Sequence, residues 1–326
     1  MTRVAAIDCG TNSVRLLVAD LDGAKRDVHR EMRVVRLGQD VDRTGALHPD
    51  ALERTRAALV DYAATCADLA VERIRMVATS ATRDASNRSA FVTMVQAVLG
   101  VAPEVVTGEQ EAALSFLGAT AGLDAERPFA VLDIGGGSTE LVLGDVAPHP
   151  PDVLPGGPES GSEKRTHGGV EASCSVDVGC VRLTERHLRS DPPTAAQVAA
   201  ARADVAAALE SLLEVVPAER ARTVVGVAGS VTTVAALALG LPAYDAQAIH
   251  LSHVTARQVD EITEMLLAMT RAERAALPVM HPGRVDVIGG GALVLQSVVR
   301  RLGLAQVLVS ETDILDGIAL SLSEES

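Results

Sequence analysis

Aromatic side chains are almost missing from this 326-residue sequence: three Phe, two Tyr and no Trp make up 2% of it. Stacking platforms for single-stranded nucleic acid are therefore nearly absent, and any core has to be assembled from Ala, Val, Leu and Ile. Positive charge is also short, with 29 Lys and Arg against 43 Asp and Glu and a formal net charge of −14. That balance disfavours non-specific binding of nucleic acid or of an anionic membrane. It leaves a phosphate site open, because net charge acts at a distance, whereas such a site is built locally from Arg, backbone N–H groups and a divalent cation. Cysteine is scarce too: Cys9, Cys66, Cys174 and Cys180 have no flanking His/Cys cluster. This argues against zinc and for reduced thiols of a cytoplasmic protein. No apolar run approaches the ~18–20 residues of a membrane-spanning helix, and the N-terminus lacks a signal-peptide pattern.

What is present is an aliphatic chain, 48% hydrophobic, longer than one core usually serves, so two domains of about 100–200 residues are expected. Residues 3–8 and 14–20 read as strands joined by a glycine turn, followed by a more charged strand at 28–37. Behind Pro49, the spacing of Leu52, Leu59, Tyr62, Ala63, Cys66 and Leu69 predicts a helix over 50–69. A strand at 73–78, a polar loop at 79–87, a helix at 88–99, a short strand at 104–106 and a helix at 109–118 continue the alternation of an α/β fold. Residues 122–128 form the candidate boundary. Beyond it, DIGGGSTELVL repeats the pattern of DCGTNSVRLLV about 125 residues earlier, so two domains of related construction are expected. One spans 1–124 and is completed by a closing helix within 310–326; the other spans 125–309. The Pro-, Gly- and Ser-rich stretch 147–169 reads as an exposed excursion. Strands at 174–178, 223–227 and 306–309 and helices at 180–187, 195–213, 228–239, 255–269, 271–277 and 313–322 complete the second half, with Gly289–Gly291 interrupting its last apolar region.

The residues that carry chemistry cluster at the turns. Asp8 ends a buried strand, and small residues through Gly10, Asn12 and Ser13 let successive N–H groups approach an anion. Arg15 either ties this turn down or reaches substrate. An ordinary polar hairpin is the alternative, but a carboxylate ending an apolar strand is costly unless paired, hydrated or metal-bound. In the second turn Gly135, Gly136 and Gly137 precede Ser138, and Asp133 and Glu140 flank it as cation-facing carboxylates. No GK[ST] follows, so it is not a Walker loop, and a strand rather than a long helix comes next, so it is not a dinucleotide fingerprint. Ser80 and Arg83 offer a further phosphate contact after a strand, or Ser80 merely caps a helix. Glu111, near the start of a helix, is a candidate base to orient water. Gly229 and Ser230 form a weaker loop candidate. His250 and His253 lack a third metal ligand, and Asp286 with Gly289–Gly291 either closes a cleft or serves close helix packing.

The ordered set VAAIDCGTNSVRLLVAD, VATSATRDASN, TGEQEAALSFLG, FAVLDIGGGSTELVLG, DVGCVRLTERHL and VGVAGSVTTVAAL resembles the exopolyphosphatase and guanosine-pentaphosphate phosphohydrolase family over nearly the whole chain. The resemblance implies an actin-like, Hsp70-like and sugar-kinase-like fold of two ribonuclease-H-like domains facing a cleft. It implies a Mg²⁺-dependent hydrolase, with Mn²⁺ as a substitute, that removes the terminal phosphate of polyphosphate or the 5′ γ-phosphate of guanosine pentaphosphate. Carried over by motif, Glu111 is the base that activates water. Asp8, Asp133 and Glu140 are the acidic metal and phosphate-loop residues, and Asn12, Ser13, Arg83 and Gly135–Ser138 belong to the phosphate-binding set. The resemblance also implies a homodimer. Gln110 departs from the family pattern, standing where an acid often accompanies the base. The chain stops at Ser326 without the helical domains of long family members, so short polyphosphate is the expected substrate. The alternatives are guanosine pentaphosphate, or a non-catalytic nucleotide- or polyphosphate-binding regulator, against which Glu111 argues.

Overall fold

The computed structural model describes residues 2–23, 25–145 and 169–323, so the excursion expected at 147–169 falls almost wholly outside the described residues. The chain divides into two compact units. The first holds Met1–Asp124, Gly144–Glu171 and Asp313–Ser326, and the second holds Ala125–Leu143 and Ala172–Thr312. The fold class is α/β, with one mixed sheet in each half of the chain.

In the first unit β1 (Arg3–Cys9), β2 (Ser13–Asp20), β3 (Arg26–Val34), β4 (Arg73–Ala78) and β5 (Glu104–Val105) form a sheet in the order β3-β2-β1-β4-β5. The β1–β2 and β2–β3 pairs are antiparallel, whereas β1–β4 and β4–β5 are parallel. This is the ribonuclease-H-like arrangement that the resemblance implies. β1 is buried on both faces, and its period of two sorts its side chains. Ala5, Ile7 and Cys9 join Tyr62, Phe91 and Leu59 in one core cluster beneath the helices Pro49–Asp68 and Arg88–Leu99. Val4 and Ala6 join Leu114, Leu117, Leu315 and Ile318 in another, under the helix Gly108–Thr120 and the closing helix Ile314–Leu320. Asp8 continues the second series, so it leans to the side on which those two helices pack.

The second sheet adds β6 (Phe129–Ile134), β7 (Thr139–Gly144), β8 (Val170–Val176), β9 (Thr223–Val227), β10 (His253–Thr255) and β11 (Gln306–Val309) in the order β10-β11-β9-β6-β7-β8. Read from β8, this repeats the order of the first sheet and adds β10 at the edge. The β6–β9 and β9–β11 pairs are parallel. A single aliphatic cluster through Leu132, Val205, Leu266, Leu293 and Val309 serves this unit.

Some local expectations change. Ser80–Asp84 is a short helix rather than loop. Gly289–Gly291 does not interrupt structure: it lies in the first turn of the helix Ile288–Leu302. There a Cβ on Gly290 would stand 2.8 Å from both the Cys180 carbonyl and Thr184 Oγ1, and one on Gly291 would overlap Ser230 Oγ. Close helix packing is the reason for these glycines. All four cysteines are free thiols, three of them buried. No described helix is long and apolar enough to cross a membrane.

Candidate active site

Parallel strands release their chains at the same sheet edge, and in α/β sheets that carboxyl edge is where ligands bind. In the first unit three neighbours do so. β1 ends in the turn after Asp8, β4 runs into the helix Ser80–Asp84, and β5 leads to the helix carrying Glu111. Backbone bonds tie the three exits together: the Thr79 amide donates to the Cys9 carbonyl at 3.2 Å, and the Val106 amide to the Ala78 carbonyl at 3.1 Å. Asp8, Asn12, Ser13, Ser80, Arg83 and Glu111 are thereby gathered at one end of one sheet.

Glu111 is set by its helix. Thr107 caps the N-terminus by accepting from the Gln110 amide at 3.2 Å, and the Gln110 side chain accepts from the Thr107 amide at 2.9 Å. This reciprocal capping box is worth about 1 kcal/mol. It also accounts for Gln110: the residue caps the helix, and an amide suits that task. Glu111 follows, 8% exposed, with Arg83 Nη1 donating to its Oε2 at 3.0 Å. The same Arg83 nitrogen donates to the Val106 carbonyl at 3.1 Å. A buried carboxylate beside a charged donor is costly to place and well suited to orient water.

The first turn closes with the Gly10 amide donating to the Ser13 carbonyl at 3.0 Å. The amides of Val35 and Arg36 donate to the Asn12 carbonyl, and that of Gly38 to the Thr11 carbonyl. With these carbonyls committed to the fold, the turn's polar capacity toward a ligand rests on amides and hydroxyls. Arg15, an expected phosphate contact, donates instead to Asp8 Oδ2 through Nε at 3.0 Å and Nη2 at 2.6 Å, and to Asp313 through Nη1. Burial works against its charge, but Asp313 and Asp8 outweigh it and hold the guanidinium well above its ordinary pKa. Burial holds the Asp8 carboxyl above its ordinary pKa, and Arg15 offsets that only in part.

The second unit gathers the other set. Asp133 lies at the end of β6 and the Gly229–Ser230 segment follows β9, with Asp133 paired to Val227 across the parallel ladder. The turn closes by the same bond as the first, from the Gly135 amide to the Ser138 carbonyl at 3.0 Å. Its carbonyls are held by the start of the helix Cys180–His187: the Cys180 amide donates to Gly135 and the Val181 amide to Gly136. Glu140, 1% exposed, accepts from Ser175 Oγ at 2.6 Å. Ser230 is buried against Gly291, and Asp286 pairs with Arg271 at 2.6 Å. Sequence reasoning missed Arg284. It packs so closely on Gly229 that a Cβ there would overlap its guanidinium, donates to Thr233 Oγ1 at 3.0 Å, and lies 5.9 Å from the Tyr244 ring centroid. A lone Arg before an apolar helix carries no signal of such a place.

The donor chemistry fits a hard cation. Asp8 Oδ1 is buried with no hydrogen-bond partner among the described residues, which costs about 1–3 kcal/mol or more unless something meets it. Among the described residues no three His, Cys, Asp or Glu gather into a closed metal cage. Mg²⁺ suits such a place, because it keeps much of its water and is held by one or two carboxylates and substrate phosphates.

Residues 17–325 match the model of the Ppx/GppA phosphatase family. Exopolyphosphatase 2 of Mycobacterium tuberculosis is 53% identical over 338 residues, covering 99% of each chain. A solved exopolyphosphatase-like protein is 41% identical with a TM-score of 0.88, covering 98% of each chain. The PPX-GPPA enzyme of Aquifex aeolicus is 30% identical with a TM-score of 0.77, covering 98% of this chain and 99% of its own.

Proposed function

Because the chain belongs to the Ppx/GppA phosphatase family, we propose that it is an exopolyphosphatase, hydrolysing the terminal phosphoanhydride of inorganic polyphosphate. The observation that carries this reading is the Arg83–Glu111 pair at the same sheet edge as the Asp8–Ser13 turn. Glu111 takes a proton as a water oxygen attacks the terminal phosphorus. The bridging P–O bond breaks, and the products are orthophosphate and a chain shorter by one phosphate. No covalent enzyme intermediate is required. Arg83 and the amides of Asn12 and Ser13 offset charge on the transferring phosphoryl group, where fixed donors are worth most; in the second unit the amides of Gly136, Gly137 and Ser138 offer a phosphate cradle of the same build. In the first unit the carboxylate that would hold Mg²⁺, or Mn²⁺ in its place, is Asp8; taken by itself, the second unit offers Asp133 and Glu140 as its cation-facing carboxylates. When bound, the ion supplies further neutralisation of the phosphate oxygens. The family resemblance also supports a homodimer, which light scattering would check, and the scarce free thiols support a cytoplasmic setting.

The test is orthophosphate release from short polyphosphate, long polyphosphate and guanosine pentaphosphate, with and without Mg²⁺, for the wild type and Glu111→Gln. The expected result is Mg²⁺-dependent release from polyphosphate that the substitution abolishes. Absence of release above the metal-only control would overturn the reading. A strong preference for guanosine pentaphosphate would move the assignment to the nucleotide.

A further inference from the structure

Arg15 engages Asp8 in an unusual way. The two residues face each other across the β1–β2 ladder. A guanidinium meeting a carboxylate squarely sends two parallel bonds to its two oxygens. Here Nε and Nη2 both go to Oδ2, at 3.0 and 2.6 Å, and Oδ1 is left buried without a hydrogen-bond partner among the described residues. The third nitrogen, Nη1, is drawn to Asp313 Oδ2.

Asp313 is itself fixed. Its Oδ1 accepts from the Leu315 amide at 3.0 Å, and its own amide donates to Asp316 Oδ2 at 3.1 Å. Asp316, 1% exposed, is anchored through Oδ1 by Arg30 at 2.6 Å and Lys25 at 2.9 Å. The closing helix sits on the helix of Glu111 with no room for a side chain. A Cβ on Gly118 would overlap the Asp313 carbonyl, and one on Gly317 the Leu114 carbonyl. Asp313 is therefore a rigid point, 298 residues from Arg15 in sequence, that sets how the guanidinium meets Asp8.

We propose that Arg15 and Asp313 are positioning residues, which hold the Asp8 carboxylate turned so that Oδ1 is reserved for a hydrated divalent cation at the first phosphate turn. Each of the three nitrogens of Arg15 donates to an acid oxygen, so the guanidinium is aimed at Asp8 and Asp313 from both ends. An ion pair serving the fold alone would have no reason to leave Oδ1 without a bond. The inference rests on the metal role given to Asp8 above, and its test reads metal binding rather than turnover.

Mn²⁺ binding in the presence of inorganic phosphate, followed by the paramagnetic resonance of the free ion, distinguishes the roles in the full-length protein. Asp8→Asn should abolish the site. Arg15→Gln and Asp313→Ser should each raise the Kd about 10-fold or more, the usual scale for residues that orient a metal ligand. Arg15→Lys should recover part of that loss. Asp313→Ser retains a capping hydroxyl, so the helix start survives, although loss of the buried ion pair lowers the thermal midpoint. Binding is compared below each variant's midpoint, and where Arg15→Gln fails to fold, Arg15→Lys and Asp313→Ser decide. Folded Arg15 and Asp313 variants that bind Mn²⁺ as tightly as the wild type, or a wild type that binds none, would sink the proposal. Failure to release orthophosphate from any substrate would instead count against the hydrolase reading and leave the Mn²⁺ comparison intact.

Discussion

The two glycine turns share a backbone and differ in charge. Each closes through its first amide onto its fourth carbonyl at 3.0 Å, and each has its carbonyls occupied by a neighbouring segment. Seven residues after Asp8 stands Arg15, whereas seven residues after Asp133 stands Glu140. The first hairpin thus pairs acid with base and is tied off internally through Asp313. The second places a carboxylate at the equivalent place and gives it a neutral donor, Ser175 Oγ. The duplication therefore repeats one backbone turn, and the seventh position sets the two apart: an arginine tied to acids in the first, a carboxylate in the second.

Glu111 belongs with the first turn, and its removal should produce the largest effect. Glu111→Gln keeps the shape and loses the base, so kcat for orthophosphate release should fall about 10²–10⁴-fold with KM little changed. Unchanged turnover would remove Glu111 from the mechanism and dissolve the functional difference between the two sites. Glu140→Gln probes the other side. The Mg²⁺ concentration giving half-maximal activity should rise about 10-fold, while activity at saturating Mg²⁺ largely returns. If instead kcat fell at every Mg²⁺ concentration and the half-maximal concentration stayed put, Glu140 would be a packing residue and the charge contrast would carry no function.

The turns were readable because each is local: strand, small residues, strand, repeated about 125 residues apart. The sheets around them follow the same alternation, and the repeated order of strands confirms that the echo is structural. What escaped reading depends on partners far off in sequence. Ser80–Asp84 is too short a helix to show a period and reads as loop. The edge strand His253–Thr255 has only three residues. Gly289–Gly291 looks like an interruption because Cys180 and Ser230, which demand their small size, come much earlier. Whether Arg15 ties the first turn down or reaches substrate is open in the sequence, because Asp313, which it engages, lies 298 residues away. Gln110 looks like a lost acid until its side chain is seen closing a capping box.

Space, more than backbone freedom, separates the glycines of the two turns, and stability measurements would sharpen that difference. Neither Gly10 nor Gly135 has a left-handed φ. A Cβ on Gly179 would stand 2.5 Å from the Gly136 carbonyl carbon and oxygen, in backbone that cannot move without opening the second turn. Gly179→Ala should therefore destabilise by about 1–3 kcal/mol, lowering the thermal midpoint by several degrees at roughly 2–4 °C per kcal/mol.

A Cβ on Gly10 would stand 3.6 Å from the Ser13 carbonyl oxygen, an ordinary contact, whereas on Gly135 it would stand 3.1 Å from the Ser138 carbonyl oxygen. Gly10→Ala should then leave the midpoint almost unmoved, its change within about 0.5–1 kcal/mol, because any contact strain is balanced by reduced freedom of the unfolded chain. Gly135→Ala should fall between Gly10→Ala and Gly179→Ala. Should Gly10→Ala prove as damaging as Gly179→Ala in calorimetry, the first turn would be as tightly enclosed as the second. The contrast between them would then rest on charge alone.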